Sequence, residues 1–136
     1  MKQLYTYGSY LNSKFGCKVY KVGINISGFT CPNIDGTVAK GGCTFCENDS
    51  FSASTNQIQE LKGFYLNLNS KENPFLQKQL QQLQEQFEKI STIQKQKYGA
   101  KKFLVYFQSF TNTYAPFETL KALYDKALSF PDVVGL

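Results

Sequence analysis

Between Ser27 and Ser54 the chain reads as neither helix nor strand. Gly28, Gly36, Gly41 and Gly42 fall in this stretch with Pro32, Asn33 and Asp35, and so do three cysteines, Cys31, Cys43 and Cys46. A loop this long inside a compact domain is either functional or tied down by something bound to it. A bound metal centre would tie it down.

The flanking segments carry regular patterns. Val19 to Ile26 alternates apolar and other residues and predicts a first strand, with Gly23 as its weak point. Residues 1 to about 20 are rich in Tyr and Lys and read as an irregular or briefly helical lead-in. Residues 55–72 are polar and ambiguous. Asn73-Pro74 predicts a helix start, with Asn73 as N-cap and Pro74 at the first helical position. Leu76, Leu80, Leu83, Phe87 and Ile90 then form one apolar stripe, on a helix ending near Gly99. About two heptads are too few for a coiled coil, so the stripe predicts a domain helix docked on a sheet. The glutamine-rich polar face reads as compositional bias without function. Lys102 to Phe107 predicts a buried strand, and Thr111 to Pro116 a loop. A second helix follows, with its stripe on Phe117, Leu120, Leu123 or Tyr124, and Ala127 or Leu128. Pro131-Asp132 breaks it, and Val133 to Leu136 opens another strand.

Strands alternating with helices imply a parallel sheet with right-handed crossovers. The 136 residues are enough to bury one core, and they contain no internal repeat. A last strand with no helix after it would leave an exposed edge. The expectation is therefore the N-terminal part of a longer α/β protein.

Composition narrows the chemistry. The chain has no histidine, which excludes imidazole acid–base catalysis, serine–histidine triads and histidine-ligated metals within it. It has no arginine either, so bidentate guanidinium clamps are excluded. The net charge is +5, which permits a polyanionic partner. The lysines are scattered, however, with Lys101–Lys102 the only adjacent pair, and they read as a solvated surface. The first residues lack an apolar leader core. The longest apolar runs, such as Phe103 to Phe107, are about a quarter of a bilayer span. A cytoplasmic chain without membrane contact is expected, and in that reducing compartment cysteines are ligands or free thiols.

Eleven residues separate Cys31 from Cys43 and two separate Cys43 from Cys46, while Cys17 stands alone before the first strand. The spacing alone leaves several readings open. A zinc site could take the Cys43–Cys46 knuckle with Cys31 and with Cys17 as fourth ligand. The knuckle could also be a redox pair, although such a pair usually opens a helix. A disulfide is disfavoured by the compartment. Three thiolates could instead hold an iron–sulfur cluster with one iron left open.

The surrounding residues are more specific. Gly28-Phe29-Thr30-Cys31-Pro32-Asn33-Ile34-Asp35-Gly36-Thr37 followed by Gly41-Gly42-Cys43-Thr44-Phe45-Cys46 closely resembles the cluster loop of a radical S-adenosylmethionine (SAM) family. That family is the bacterial YhcC-type family, related to the catalytic subunit of Elongator. Lys18 to Lys21, Tyr106 to Pro116 and Val133 to Leu136 resemble its segments around the first, second and third strands. The likeness runs from about residue 7 to the end, and covers less than half of a typical family member. Cys17 departs from it, occupying a position where the family usually has no thiol.

The resemblance implies an α/β fold, the N-terminal part of a radical SAM partial (β/α) barrel. It would have about three parallel strands and two crossover helices and be incomplete at the C-terminus. Residues 1–136 would form the N-terminal portion of a single domain, with the cluster loop at 27–54. The resemblance further implies a [4Fe–4S] cluster on Cys31, Cys43 and Cys46, with the fourth iron left for SAM. Reductive cleavage of SAM would give a 5′-deoxyadenosyl radical, chemistry carried by the cofactors while the protein positions and shields them. Phe45 would lie near the adenine. The family segment after the second strand would place Gln108 and Asn112 to hydrogen-bond SAM in place of the acidic, glycine-rich segment common in radical SAM enzymes. Asn33 and Asp35 read as loop-shaping residues. The implied partners are a reductant such as flavodoxin or ferredoxin, an RNA substrate by analogy with Elongator, and the missing C-terminal half of the barrel if separately encoded. The alternative is a zinc-stabilised four-cysteine binding module without catalysis.

Overall fold

The computed structural model describes residues 3–44, 65–70, 72–108 and 110–136. Phe45, Cys46 and Ser109 lie outside them. Six elements run in the order α1 (Tyr7–Phe15), β1 (Val19–Asn25), α2 (Leu76–Tyr98), β2 (Lys102–Gln108), α3 (Phe117–Ser129) and β3 (Val133–Gly135).

The three strands form one parallel sheet in the order β1-β2-β3. β1 and β2 pair without interruption from Val19↔Lys102 to Asn25↔Gln108. β2 and β3 pair through Phe103↔Val133 and Leu104↔Gly135, with a register irregularity between them. This is the small α/β architecture with two crossover helices that the alternation of patterns predicts.

The core lies between the sheet and its crossover helices. Val22, Ile24, Phe103 and Val105 from the strands are buried with Leu83 and Phe87 of α2 and Leu123 and Ala127 of α3. The Phe87 ring meets Phe103 edge-on at 5.7 Å and stacks on Phe130 at 4.5 Å. The side-chain alternation leaves Lys21, Leu104, Tyr106 and Gln108 on the opposite face, where the Lys21 ammonium sits 4.5 Å from the Tyr106 ring centre.

The lead-in contains a helix. Thr6 caps α1 through its hydroxyl, which accepts from the Ser9 amide at 3.2 Å, and Leu11 is its buried residue. α2 begins at Leu76, two residues later than Asn73-Pro74 predicts. The Asn73 carboxamide oxygen accepts from the Phe75 amide at 3.1 Å, so Asn73 makes a side-chain turn ahead of the helix and not its cap. Gly99 ends α2 at φ +66°, and its amide donates back to Gln94 and Lys95, as the glycine there predicts. The α3 stripe holds at Leu123 and Ala127, which are buried, and at Leu120 and Tyr124, which pack on the core; buried Thr119 joins it, whereas Phe117, expected in it, is 70% exposed.

The largest correction concerns the glutamines of α2. β1 is an edge strand, and its outer main-chain groups need partners. Gln94 donates to the Lys21 carbonyl at 2.9 Å. The Gln86 carboxamide accepts from the Asn25 amide at 2.9 Å and donates to the Asn25 carbonyl at 2.7 Å. Gln82 accepts from the Ser27 amide at 3.1 Å, and fully buried Gln79 donates to the Ser27 carbonyl at 2.7 Å. These side chains take the place of a neighbouring strand. The ladder stops at Ser27, which fixes where the cysteine loop departs.

Candidate functional site at the ends of β1 and β2

The loop after β1 starts buried and then turns tightly. Ile26, Phe29 and Thr30 are buried, and the Leu66 amide donates to the Gly28 carbonyl at 2.6 Å. Leu66 is itself fully buried and packs the base of this loop, while its neighbours Tyr65 and Leu68 are exposed. At Cys31 the chain reverses. The Cys31 carbonyl accepts from Ile34 at 2.8 Å and Asp35 at 3.0 Å. The Pro32 carbonyl accepts from Val38 at 2.9 Å and Ala39 at 3.2 Å, and Asp35 bridges Lys40 in an antiparallel pair. The returning strand passes through Gly41 and Gly42 at φ +85° and +83°. Two consecutive residues in that region are accessible to glycine with little strain. The turn brings the Gly42 amide onto the Asn33 carbonyl at 2.9 Å. Cys43 therefore returns beside Asn33, two residues on from Cys31, across one compact hairpin. Both thiols are half-buried, and the Asn33 carboxamide donates to the Cys43 sulfur at 3.3 Å.

A second loop follows β2 and is joined to the first. The Thr111 amide donates to the Thr30 carbonyl at 3.1 Å, and the hydroxyls of buried Tyr114 and Thr37 share a hydrogen bond of 3.0 Å. Asp35 belongs to the same contact. The Thr37 amide donates to its carboxylate at 2.9 Å. That bond, with lesser help from the Thr37 and Tyr114 hydroxyls, holds the Asp35 carboxyl below the usual carboxylate range. The Tyr124 hydroxyl donates to the Asn112 carbonyl at 2.5 Å and anchors this loop on α3, while burial pushes the Tyr124 phenol up.

Gln108 ends β2 directly beside Asn25, the last residue of β1. Asn112 is half-buried in the second loop. Cys31, Cys43, Gln108 and Asn112 thus lie at the C-terminal ends of adjacent parallel strands, where open α/β sheets place their binding sites. Among the described residues no three His, Cys, Asp or Glu side chains gather into a metal-binding group. Two of the expected cysteines are in the hairpin, and Cys46, like Phe45, is outside the described residues. Cys17 precedes β1, whereas Cys31 follows it. The strand of 7 residues separates them by about 20 Å. The strand therefore places Cys17 at the end of β1 opposite the cysteine hairpin.

The chain is 37% identical to YtqA of Bacillus subtilis. That similarity covers 99% of this chain and 35% of the relative, an uncharacterized protein. Protein YhcC of Escherichia coli K12 is 32% identical over 96% of this chain and 34% of its own length. The uncharacterized protein MJ0486 of Methanocaldococcus jannaschii is 36% identical over 96% of this chain and 33% of its own length. The chain thus spans about a third of the length of these relatives. No protein-family model matches it, and no solved structure does.

Tyr114, Thr37 and Thr111 fasten the two loops together, and none of them is singled out for that role by the sequence pattern. Thr37 and Tyr114 are 77 residues apart and Thr30 and Thr111 further still, separations that local spacing does not encode. Asn33 shapes the loop through its main-chain carbonyl, while its carboxamide reaches a cysteine sulfur, which the expectation of a purely loop-shaping residue did not include.

Proposed function

We propose that this chain is the N-terminal part of a radical SAM enzyme built on a partial (β/α) barrel. Cys31, Cys43 and Cys46 would hold a [4Fe–4S] cluster that binds SAM at its fourth iron. The observation that carries this reading is the hairpin after β1 that brings Cys43 beside Asn33, two residues on from Cys31. The residues present fit such a group. Both described thiols are half-buried in the same loop, the chain has no imidazole to compete with them, and the Asn33 side-chain amide already donates to the Cys43 sulfur.

When bound, the cluster and SAM supply one-electron reductive cleavage and a 5′-deoxyadenosyl radical. The chain's own residues would bind and orient. Cys43 and Cys46 supply thiolates from a short knuckle. Phe45 between them would cover the adenine, and Gln108 and Asn112 would offer neutral hydrogen bonds to SAM from the second loop. The links between Thr30 and Thr111, and between Thr37 and Tyr114, keep the two loops in fixed relation, so cluster and SAM contacts would move as one unit. The electron would come from flavodoxin or ferredoxin in the cytoplasm, and the remaining strands of the barrel would complete the substrate site. Among the described residues no helix is long and apolar enough to cross a membrane.

An RNA substrate is supported by a basic, aromatic pole at the other end of the sheet. Lys18, Lys101 and Lys102 meet at the N-terminal ends of β1 and β2, where the Lys101 and Lys102 amides both donate to the Lys18 carbonyl. The Lys102 ammonium lies 5.5 Å from the Phe15 ring centre, and Lys14 lies 5.6 Å from the same ring. Rings beside lysines suit single-stranded nucleic acid.

The deciding experiment is iron and acid-labile sulfide analysis after anaerobic reconstitution, with EPR of the reduced protein with and without SAM. About four iron and four sulfide per chain, with an EPR signal that changes on adding SAM, is the expected outcome. Stoichiometric zinc without sulfide overturns the reading.

A further inference from the structure

Asn33 makes one contact on Cys43, through its side chain, in addition to the main-chain contact with Gly42 that shapes the loop. Its carbonyl accepts from the Gly42 amide at 2.9 Å, which already closes the hairpin. Its side-chain amide separately donates to the Cys43 sulfur at 3.3 Å. A turn-forming asparagine ordinarily spends its side chain on nearby main chain, as Asp35 does with Thr37 and Asn67 with Asn69. Asn33 directs its donor to a sulfur ten residues away. Two glycines stand immediately before that cysteine, so no side chain from them crowds the approach.

We infer that Asn33 is a positioning residue that sets the reduction potential of a cluster held on Cys43. This rests on the radical SAM reading above. An N–H donor to a cysteine ligand offsets negative charge on the sulfur. Reducing the cluster adds one electron, and the extra negative charge is shared by the surrounding sulfurs. The donor therefore favours the reduced state, and hydrogen bonds to sulfur are among the terms that set cluster potentials. The Asn33 carbonyl meanwhile holds the main chain next to Cys43, so side-chain donor and ligand keep a fixed separation. The main-chain contact uses no side-chain atom of Asn33, so substitution of the side chain separates the electrostatic role from the structural one.

The test uses the 136-residue chain. Wild type, Asn33→Ala and Asn33→Asp are reconstituted anaerobically, assayed for iron and sulfide, and titrated with dithionite under EPR. Asn33→Asp keeps the shape and replaces the donor by a negative acceptor, which covers the case in which alanine fails to fold. Both variants are expected to load a cluster, with potentials more negative than wild type and Asn33→Asp the more negative. The expected size is at least a tenfold fall in the reduced-to-oxidised ratio at one poise, equivalent to about 59 mV for one electron. Unchanged potentials in loaded variants overturn the inference and leave the radical SAM reading standing. A role confined to loop shape would lower cluster content without moving the potential of the clusters that form, and that result also overturns it. Wild type that takes up no iron and sulfide overturns the radical SAM reading, and the inference falls with it.

Discussion

Asp35 occupies the tip of the cysteine hairpin, and its charge is held there by its neighbours. The Thr37 amide is the main donor to its carboxylate, with the Thr37 and Tyr114 hydroxyls adding to it. Its carboxyl is therefore more acidic in the folded chain than the ordinary value of 3.8. A carboxyl with a lowered folded value stabilises the fold fully above its unfolded value, and that contribution is lost as pH falls through the folded one. The hairpin should stay fastened at neutral and mildly acidic pH and loosen only below about pH 4. Urea unfolding of wild type and Asp35→Asn across pH checks this. The stability difference should be constant above about pH 5 and shrink below about pH 4. A difference that is flat down to pH 2 would show that the charge does not hold the turn. Asp35 was legible as a turn former, because an aspartate before glycine bonds its own backbone two residues on. Its tie to Tyr114 was not, because that hydroxyl arrives from the loop after β2.

Elements show a different balance. The apolar stripe of α2 was readable because Leu83 and Phe87 recur at helical spacing, and both are buried. The glutamines at 79, 82 and 86 recur at the same spacing on a neighbouring face, but periodicity arguments weigh only apolar residues. A glutamine on a helix is neutral until a strand edge is placed beside it. Here the edge of β1 supplies alternating outward amides and carbonyls, and carboxamides match both. Gln86→Ala should remove the two side-chain bonds to the Asn25 amide and carbonyl, at a cost of about 1–3 kcal/mol. Denaturant unfolding measures the loss, and hydrogen exchange should show the Asn25 amide losing protection while the β1–β2 amides keep theirs. An unchanged midpoint with an unchanged Asn25 exchange rate would mean that the ladder is incidental. The start of α2 teaches a related lesson. Asn73 serves a turn and also donates to Gln79 at 2.7 Å, so a residue with cap chemistry was taken by tertiary contacts.

Across the whole molecule, parallel strands sort the chain into two poles. Each strand of the pair β1–β2 is entered through lysine and left towards the cysteine hairpin or its fastening loop, so Lys18, Lys101 and Lys102 gather at one end and Cys31 and Cys43 lie beyond the other. This is why lysines that look scattered in sequence are not scattered in space: residues 18 and 101 are far apart along the chain but joined by main-chain hydrogen bonds. The alternation of strand and helix patterns was enough to reveal the sheet, whereas the pole depends on register, which no local pattern specifies. The two poles are about 20 Å apart along β1, so RNA gripped by the lysines would be anchored away from the cysteines and reach them by its length. Binding through phosphates carries a salt signature. The logarithm of the affinity falls with the logarithm of salt concentration by about 0.7 for each phosphate neutralised on a single strand. Replacing Lys18, Lys101 and Lys102 together by glutamine should therefore weaken binding to a short polyuridylate and flatten that slope by about 2. Fluorescence anisotropy at several salt concentrations reads both quantities. A triple variant with wild-type affinity and slope would remove this pole from RNA recognition without touching the cysteine hairpin, because no residue of the hairpin bonds to these lysines in the described contacts.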